Sequence, residues 1–230
     1  MEQREQNGCK RLDLCDKLRL YGILGSENLQ GITHREAVSH AIKGGMTCVQ
    51  IREKHLSAEK LLEMIAEVKP VCGDADVPLM INDDVTICKE SDASGVHLGL
   101  SDCSIEEARK LLGDSKIIGA TAHNLEEALA AEAAGADYIG VGAAFGSNSK
   151  DNAVKLPSLD VYNLITASVK IPVVAIGGIN MGNISALEGR GLSGVAVISA
   201  LFSSSDIKKS TEELRASAEK LSGGMKRASK

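Results

Sequence analysis

Gly44-Gly45-Met46-Thr47-Cys48-Val49-Gln50-Ile51-Arg52-Glu53-Lys54 holds, in one run, a helix-to-strand turn, an apolar strand and a polar strand end. The glycine pair supplies the turn, and Thr47–Arg52 reads as a short strand. In an extended chain, alternate residues point to the same side. Gln50, Arg52 and Lys54 are therefore expected on one face, with Val49 and Ile51 on the other, packed beneath a helix. An amide and two cations are poor core material but suit a polyanion: arginine offers a planar fork and lysine a mobile point charge. The competing reading of the same residues is a salt-bridged strand end with Glu53 as partner.

Working outward, the turn recurs as Ser94-Gly95-Val96 and Gly135-Ala136-Asp137. Apolar runs at Arg19–Leu24, Thr47–Arg52, Pro78–Asn82, Gly95–Leu98, Lys116–Ala120, Tyr138–Val141, Pro172–Ile176 and Gly194–Ile198 read as strands. Helix-start signals fall between them. Thr33–Lys43 opens a capping box with Glu36, Ser57–Val71 has the weaker pair Ser57 and Lys60, Ser104–Leu112 opens with Glu107 in place, and Asn124–Ala134 with Glu127. Eight strands alternating with helices predict a single-domain (β/α)₈ barrel over 1–230. A doubly wound open sheet is the alternative arrangement. A helix over Cys9–Lys17, within an N-terminal extension of residues 1–17, is expected to cap the barrel's bottom. Residues 222–230 read as a flexible tail.

Composition agrees with this architecture. Hydrophobic residues make up 43% of the chain but aromatics only 2%, with no Trp. The core must therefore be built from small aliphatics, which suit a parallel sheet covered by helices. The net charge of −5 is spread along the chain with no basic stripe, which argues against nucleic acid or an anionic membrane as partner. Six cysteines without a CxxC pair read as free thiols of a cytoplasmic protein rather than disulfides or a zinc site. The charged N-terminus lacks the apolar segment of a signal peptide, and no apolar run approaches the length of a membrane span. A homo-oligomer is compatible with this sequence.

Active sites of such barrels lie at the C-terminal ends of the strands. Collected there are Gln50, Arg52 and Lys54; Asn82, Asp83 and Asp84; His97, Gly99 and Asp102; Thr121 and His123; and the loop Gly146-Ser147-Asn148-Ser149-Lys150. The last two strands end in Gly177-Gly178 and Ile198-Ser199. Cations, amides, hydroxyls and carboxylates occupy one half of this ring. Glycine backbone occupies the other, with a helix expected near Asn183. Gly177-Gly178 beside Ser199 suits a monophosphate cup, although a tight turn needs the same glycines. Asp83 and Asp102, without a histidine pair or thiolate nearby, suit a hard cation such as Mg²⁺. Their alternative roles are a helix cap at Asp83 and a turn at Asp102. Lys150 could close over a charged substrate, or be an ordinary loop lysine.

Gln-Ile-Arg-Glu-Lys, Ile-Asn-Asp, Gly-Val-His-Leu-Gly with Asp102, Ile-Gly-Ala-Thr-Ala-His, Gly-Ala-Asp-Tyr-Ile-Gly-Val-Gly, Ser-Asn-Ser-Lys, Ala-Ile-Gly-Gly-Ile and Gly-Val-Ala-Val-Ile-Ser occur in this order. Together they resemble the motifs of the thiamine phosphate synthase family over roughly residues 19–202. The resemblance implies a transferase that joins hydroxymethylpyrimidine diphosphate to hydroxyethylthiazole phosphate and releases pyrophosphate. It places Arg52, Lys54, Asn82 and Lys150 on the diphosphate, with help from Thr121, Ser149 and the neighbouring Ser147. It places Gln50 on the pyrimidine, and Gly178, Ile198 and Ser199 around the thiazole phosphate. Asp83 and Asp102 would hold the Mg²⁺ cofactor, and Arg52, Lys54 and Lys150 would be the catalytic cations.

The chain departs from the family pattern at Asp84, where the family usually has Arg, at Gly25-Ser26, at Leu100 and in the loop after Gly146. Asp84 is expected to reverse a charge beside the metal. Two other functions compete. A thiazole tautomerase on the same barrel would use His123 for proton transfer, and a non-catalytic barrel would only bind a phosphorylated ligand. His97 and His55 read as structural or surface residues, and Tyr21 and Phe145 as candidates to line the mouth.

Overall fold

The computed structural model describes residues 13–29, 31–146 and 155–221. Eight parallel strands close into a barrel in sequence order: β1 Leu20–Leu24, β2 Cys48–Ile51, β3 Leu79–Asn82, β4 Gly95–Leu98, β5 Ile117–Ala122, β6 Tyr138–Gly142, β7 Val173–Ile176 and β8 Gly194–Val197. Closure is made by β1 against β8, with Leu20 opposite Val195 and Gly22 opposite Val197. This excludes the open sheet.

The helices are α1 (residues 13–17), α2 His34–Lys43, α3 Ala58–Asp74, α4 Val85–Glu90, α5 Ile105–Leu112, α6 Leu125–Ala133, α7 Asp160–Ser168, α8 Ser199–Phe202 and α9 Ile207–Leu221. The start signals act as the sequence implies: Thr33 and Ser104 form complete capping boxes with Glu36 and Glu107. Ser57 and Asn124 each accept a backbone N–H in the first turn. Helix α3 runs past the expected end at Val71 despite Pro70 within it. Met64, Ile65, Val68 and Cys72 bury one continuous stripe across that proline, and packing of the stripe outweighs the hydrogen bond proline cannot donate. The helix expected near Asn183 is only a 3₁₀ turn, Ile184–Leu187.

Strand alternation sorts the core into two layers. Leu20, Leu24, Val49, Ile51, Leu79, Ile81, Val96, Ile118, Ile139, Val141, Val173, Ala175 and Val195 face outward and pack with the helices. Tyr21, Ile23, Cys48, Met80, Tyr138, Val174 and Ala196 point inward and fill the barrel. Leu18 joins the inner group and Leu14 packs against it, so α1 closes the bottom, as the sequence suggested. The earlier part of that expected helix, residues 9–12, lies outside the described residues, as does the 222–230 tail. The buried Arg19 guanidinium ties this end to β8, donating to the Ser193 carbonyl at 2.8 Å and to Asp16 at 3.2 Å.

Filling a barrel with so few aromatics leaves room for only a few large rings, and glycine makes that room. A Cβ on Gly119 would lie 2.2 Å from the Tyr138 ring. Gly119→Ala is expected to destabilise the fold by about 1–3 kcal/mol through overpacking, read as a lower denaturant midpoint with unchanged slope.

Candidate active site at the barrel mouth

A cavity of about 620 Å³ opens at the C-terminal end of the barrel. Its wall brings together Gln50 and Arg52 from β2, Asn82 and Asp83 from β3, His97 and Gly99 from β4, and Thr121 and His123 from β5. The far wall is Gly146, Gly177, Gly178, Ile198 and Ser199, with Phe145 beside them. Residues drawn from the ends of most strands thus meet in one space.

The shared face expected of Gln50, Arg52 and Lys54 ends at Arg52. Strand pairing stops at Ile51, the alternation lapses with it, and Lys54 is exposed and does not line the cavity. Arg52 is largely covered, its side chain 18% exposed, with Glu27 at a loose 3.9 Å. Glu53 reaches back along the chain. Its buried carboxylate accepts from the Ser26 amide at 2.6 Å and hydroxyl at 2.7 Å, and lies 2.9 Å from His34 Nε2. It therefore straps the Gly25-Ser26 loop to the start of α2.

Asp83 and Asp102, nineteen positions apart in the chain, meet here. Asp83 has the left-handed φ of 62°, tolerated best by Gly, Asn and Asp. Its amide donates to the His97 carbonyl at 2.8 Å, and its carboxylate accepts from Asn82 Nδ2 at 2.6 Å. Desolvation and the Asp102 carboxylate beside it push the Asp83 pKa up to about 6. Asp102 also accepts from the Gly99 amide at 2.6 Å, so it makes the expected turn as well as facing Asp83. The helix cap is Asp84 instead: its carboxylate accepts from the Ile87 amide at 2.9 Å. The supposed charge reversal beside a metal is thus a carboxylate directed into the start of α4.

Two carboxylates and an amide oxygen are hard donors of the kind Mg²⁺ takes. A cation between them would relieve the like-charge crowding that raises Asp83. No group of three or more His, Cys, Asp or Glu that could hold a metal occurs among the described residues, so ligand oxygens or water must complete any coordination shell.

On the opposite wall, Gly177 and Gly178 have φ of 102° and 65°. A Cβ on Gly178 would fall 2.7 Å from the Gly146 carbonyl oxygen. Asn183 and Asn180 brace the turn by donating to the Gly178 carbonyl at 2.9 and 3.2 Å. Ile198 and Ser199 close this wall, Ser199 as the first residue of the one-turn helix α8. Bare backbone lies open to the cavity here, as an oxyanion requires.

His123 is partly exposed and sits 2.9 Å from Glu127. Leu100 is solvent-exposed. Tyr21, expected at the mouth, is instead buried inside the barrel, while Phe145 does line the cavity. His97, expected as a structural or surface residue, also lines the cavity. It faces inward between Val96 and Leu98, and strand alternation alone would have placed it there. Ser147, Ser149 and Lys150 lie outside the described residues.

A family model described as thiamine monophosphate synthase matches residues 20–201. A thiamine-phosphate synthase of Fusobacterium nucleatum is 43% identical over 203 residues, covering 88% of this chain and 98% of its own. One from Chloroflexus aurantiacus is 41% identical over 198 residues, covering 86% and 91%. Among solved structures, a thiamine phosphate pyrophosphorylase from Pyrococcus furiosus superposes with a TM-score of 0.82 at 38% identity, covering 91% of this chain and all of that one.

Proposed function

The chain belongs to the thiamine monophosphate synthase family, and on that premise we propose that its mouth joins an aminopyrimidine methyl diphosphate to a thiazole phosphate, giving thiamine phosphate and pyrophosphate. The observation that carries the reading is the meeting of Arg52, Asn82 and Asp83 on one wall with Gly178, Ile198 and Ser199 on the other. One cavity thus offers a diphosphate grip and a monophosphate cup.

The methylene–oxygen bond breaks with its electron pair leaving on pyrophosphate, and the electron-rich ring stabilises the methylene cation. The lone pair of the thiazole nitrogen then forms the new carbon–nitrogen bond. No proton has to be removed, so no general base is needed. Arg52 and Asn82 stabilise the charge growing on the leaving group, joined in our assignment by Thr121, Ser147, Ser149 and Lys150. Gln50 orients the pyrimidine, and the glycine wall with Ser199 holds the thiazole phosphate in line. Asp83 and Asp102 would hold Mg²⁺, whose bound charge offsets that of the diphosphate. A tautomerase would not need the diphosphate half of this cavity.

The test combines both substrates and enzyme with and without Mg²⁺. Metal-dependent pyrophosphate release with formation of thiamine phosphate is expected. Thiazole phosphate binding without turnover would instead indicate the binding protein.

The Asp83 pKa adds a pH dependence. Its carboxyl is protonated below about 6, and a metal has to displace that proton. Mg²⁺ affinity should therefore fall as pH drops through that value and level off above it. At about pH 5 the apparent affinity is expected to be about tenfold weaker than at neutral pH, measured by calorimetry. An Asp102→Asn variant should move this dependence to lower pH, since it removes the like-charge part of the shift and leaves the desolvation in place. No helix among the described residues is long and apolar enough to cross a membrane; the cytoplasmic setting is our assignment.

A further inference from the structure

A line of polar side chains crosses the barrel interior at the floor of the cavity, where Gln50, His97 and Thr121 reach the lining. Gln50 Nε2 donates to Tyr21 Oη at 2.6 Å. Tyr21 Oη lies 3.0 Å from Tyr138 Oη, and Tyr138 Oη 2.9 Å from His97 Nδ1. His97 Nε2 lies 3.1 Å from Thr121 Oγ1. Five side chains from β2, β1, β6, β4 and β5 are joined in this way. The reaction as described uses the two ends, Gln50 and Thr121, and leaves the middle unexplained.

The middle is a built feature. Both tyrosines are at most 1% exposed, and buried hydroxyls carry a cost unless hydrogen-bonded. Phenylalanine would fill the same space without that cost. Gly119 clears the space for the Tyr138 ring, and a Cβ on Gly140 would approach His97 Cε1 to 3.0 Å. The rings of His97 and Tyr138 lie 5.5 Å apart, tilted by 32°.

The sense of the chain follows from donor counting. An amide nitrogen only donates, so Tyr21 Oη accepts from Gln50. Burial raises both phenols well above their usual pKa, so each keeps one proton to give. Tyr21 can give its proton to Tyr138 or to Cys48, its neighbour in strand register. Sulfur is the weaker acceptor, so Tyr138 receives it. Tyr138 then donates to His97 Nδ1, which must be bare, and the ring carries its proton on Nε2. That proton goes to Thr121, whose own hydroxyl hydrogen is left to point elsewhere.

We propose that Tyr21, Tyr138 and His97 are positioning residues: a one-way hydrogen-bond chain that holds the Gln50 amide with its accepting carbonyl toward the cavity and makes the Thr121 hydroxyl a donor there. A ligand that carries an amino group at one end and an anionic oxygen at the other satisfies both ends. A ligand with a carbonyl in place of the amino group would face the Gln50 carbonyl with no hydrogen between them. The specificity consequence rests on the synthase reading above. The hydrogen-bond sense does not.

Two measurements test this. The first needs no substrate: heteronuclear NMR of the nitrogen-labelled full chain reads the His97 tautomer, with His97→Gln used to assign the ring. A proton on Nε2 and a bare Nδ1 are expected. A proton on Nδ1, whether alone or with Nε2 also protonated, overturns the proposal. The second is kinetic. Tyr21→Phe keeps the ring and removes the link to Gln50. It should raise KM for the pyrimidine diphosphate about tenfold, the scale of one hydrogen bond to a buried group, and leave KM for the thiazole phosphate within about twofold. Equal changes in both, or none in either, overturn the positioning role. Absence of turnover in the unmodified enzyme contradicts the proposed function alone, and the tautomer then decides the hydrogen-bond sense by itself.

Discussion

Arg52→Ala is expected to lower kcat by about 10²–10³-fold, the scale seen when one preorganised donor is removed from a developing negative charge. Arg52 is largely shielded from water, and its nearest carboxylate is the loosely placed, half-exposed Glu27. A guanidinium held there in the cavity wall is preorganised to act on a departing diphosphate. Because that charge appears only as the carbon–oxygen bond breaks, the loss should fall on kcat more than on thiazole phosphate affinity. Arg52→Lys should recover part of the rate, since it keeps the charge and loses the fork. Steady-state pyrophosphate release checks both variants. Equal losses in the two would assign the effect to geometry alone.

The second large effect is expected at Asp102 and Lys150. Asp102→Ala removes one of the two carboxylates that face each other at the mouth, and Lys150→Ala removes a cation assigned to the leaving group. Each should lower turnover by about 10²-fold while thiazole phosphate affinity changes little. For Asp102→Ala, raising Mg²⁺ should restore part of the rate, because the deficit lies in metal affinity. Turnover like that of the unaltered enzyme in both variants would defeat these role assignments.

Much of this architecture is legible in the sequence because its signals are local. Each capping residue precedes its helix by one position, and each apolar run is bounded by turn residues. The barrel follows from repeating that unit eight times. Less legible are features set by where a strand stops. Lys54 continues an alternation on paper, but pairing ends at Ile51, and past that point the face of a residue is no longer fixed by the pleat. Asp84 shows a different limit. Its charge looked functional, yet the free Ile87 amide at the start of α4 claims it. Glu53 is a similar case, since its partners Ser26 and His34 lie far back in the chain.

Tyr21 was misplaced, and the partners of His97 were not legible, because side chains pointing into a barrel have no partner visible along the chain. Alternation places His97 inward, but only the closed sheet brings Tyr138 from β6 within 2.9 Å of it. The pairing of Asp83 with Asp102 likewise depends on β3 and β4 lying side by side, with Asn82 opposite His97. The carboxylate types are readable in sequence, and their crowding is a property of the fold.

The most direct measurement is a crystal structure of this chain grown with pyrophosphate and Mg²⁺. The account predicts the metal against Asp83 and Asp102, with the pyrophosphate oxygens reaching Arg52 and Asn82 in the same cavity. Pyrophosphate seated on the glycine wall alone, or a metal bound away from both aspartates, would contradict it.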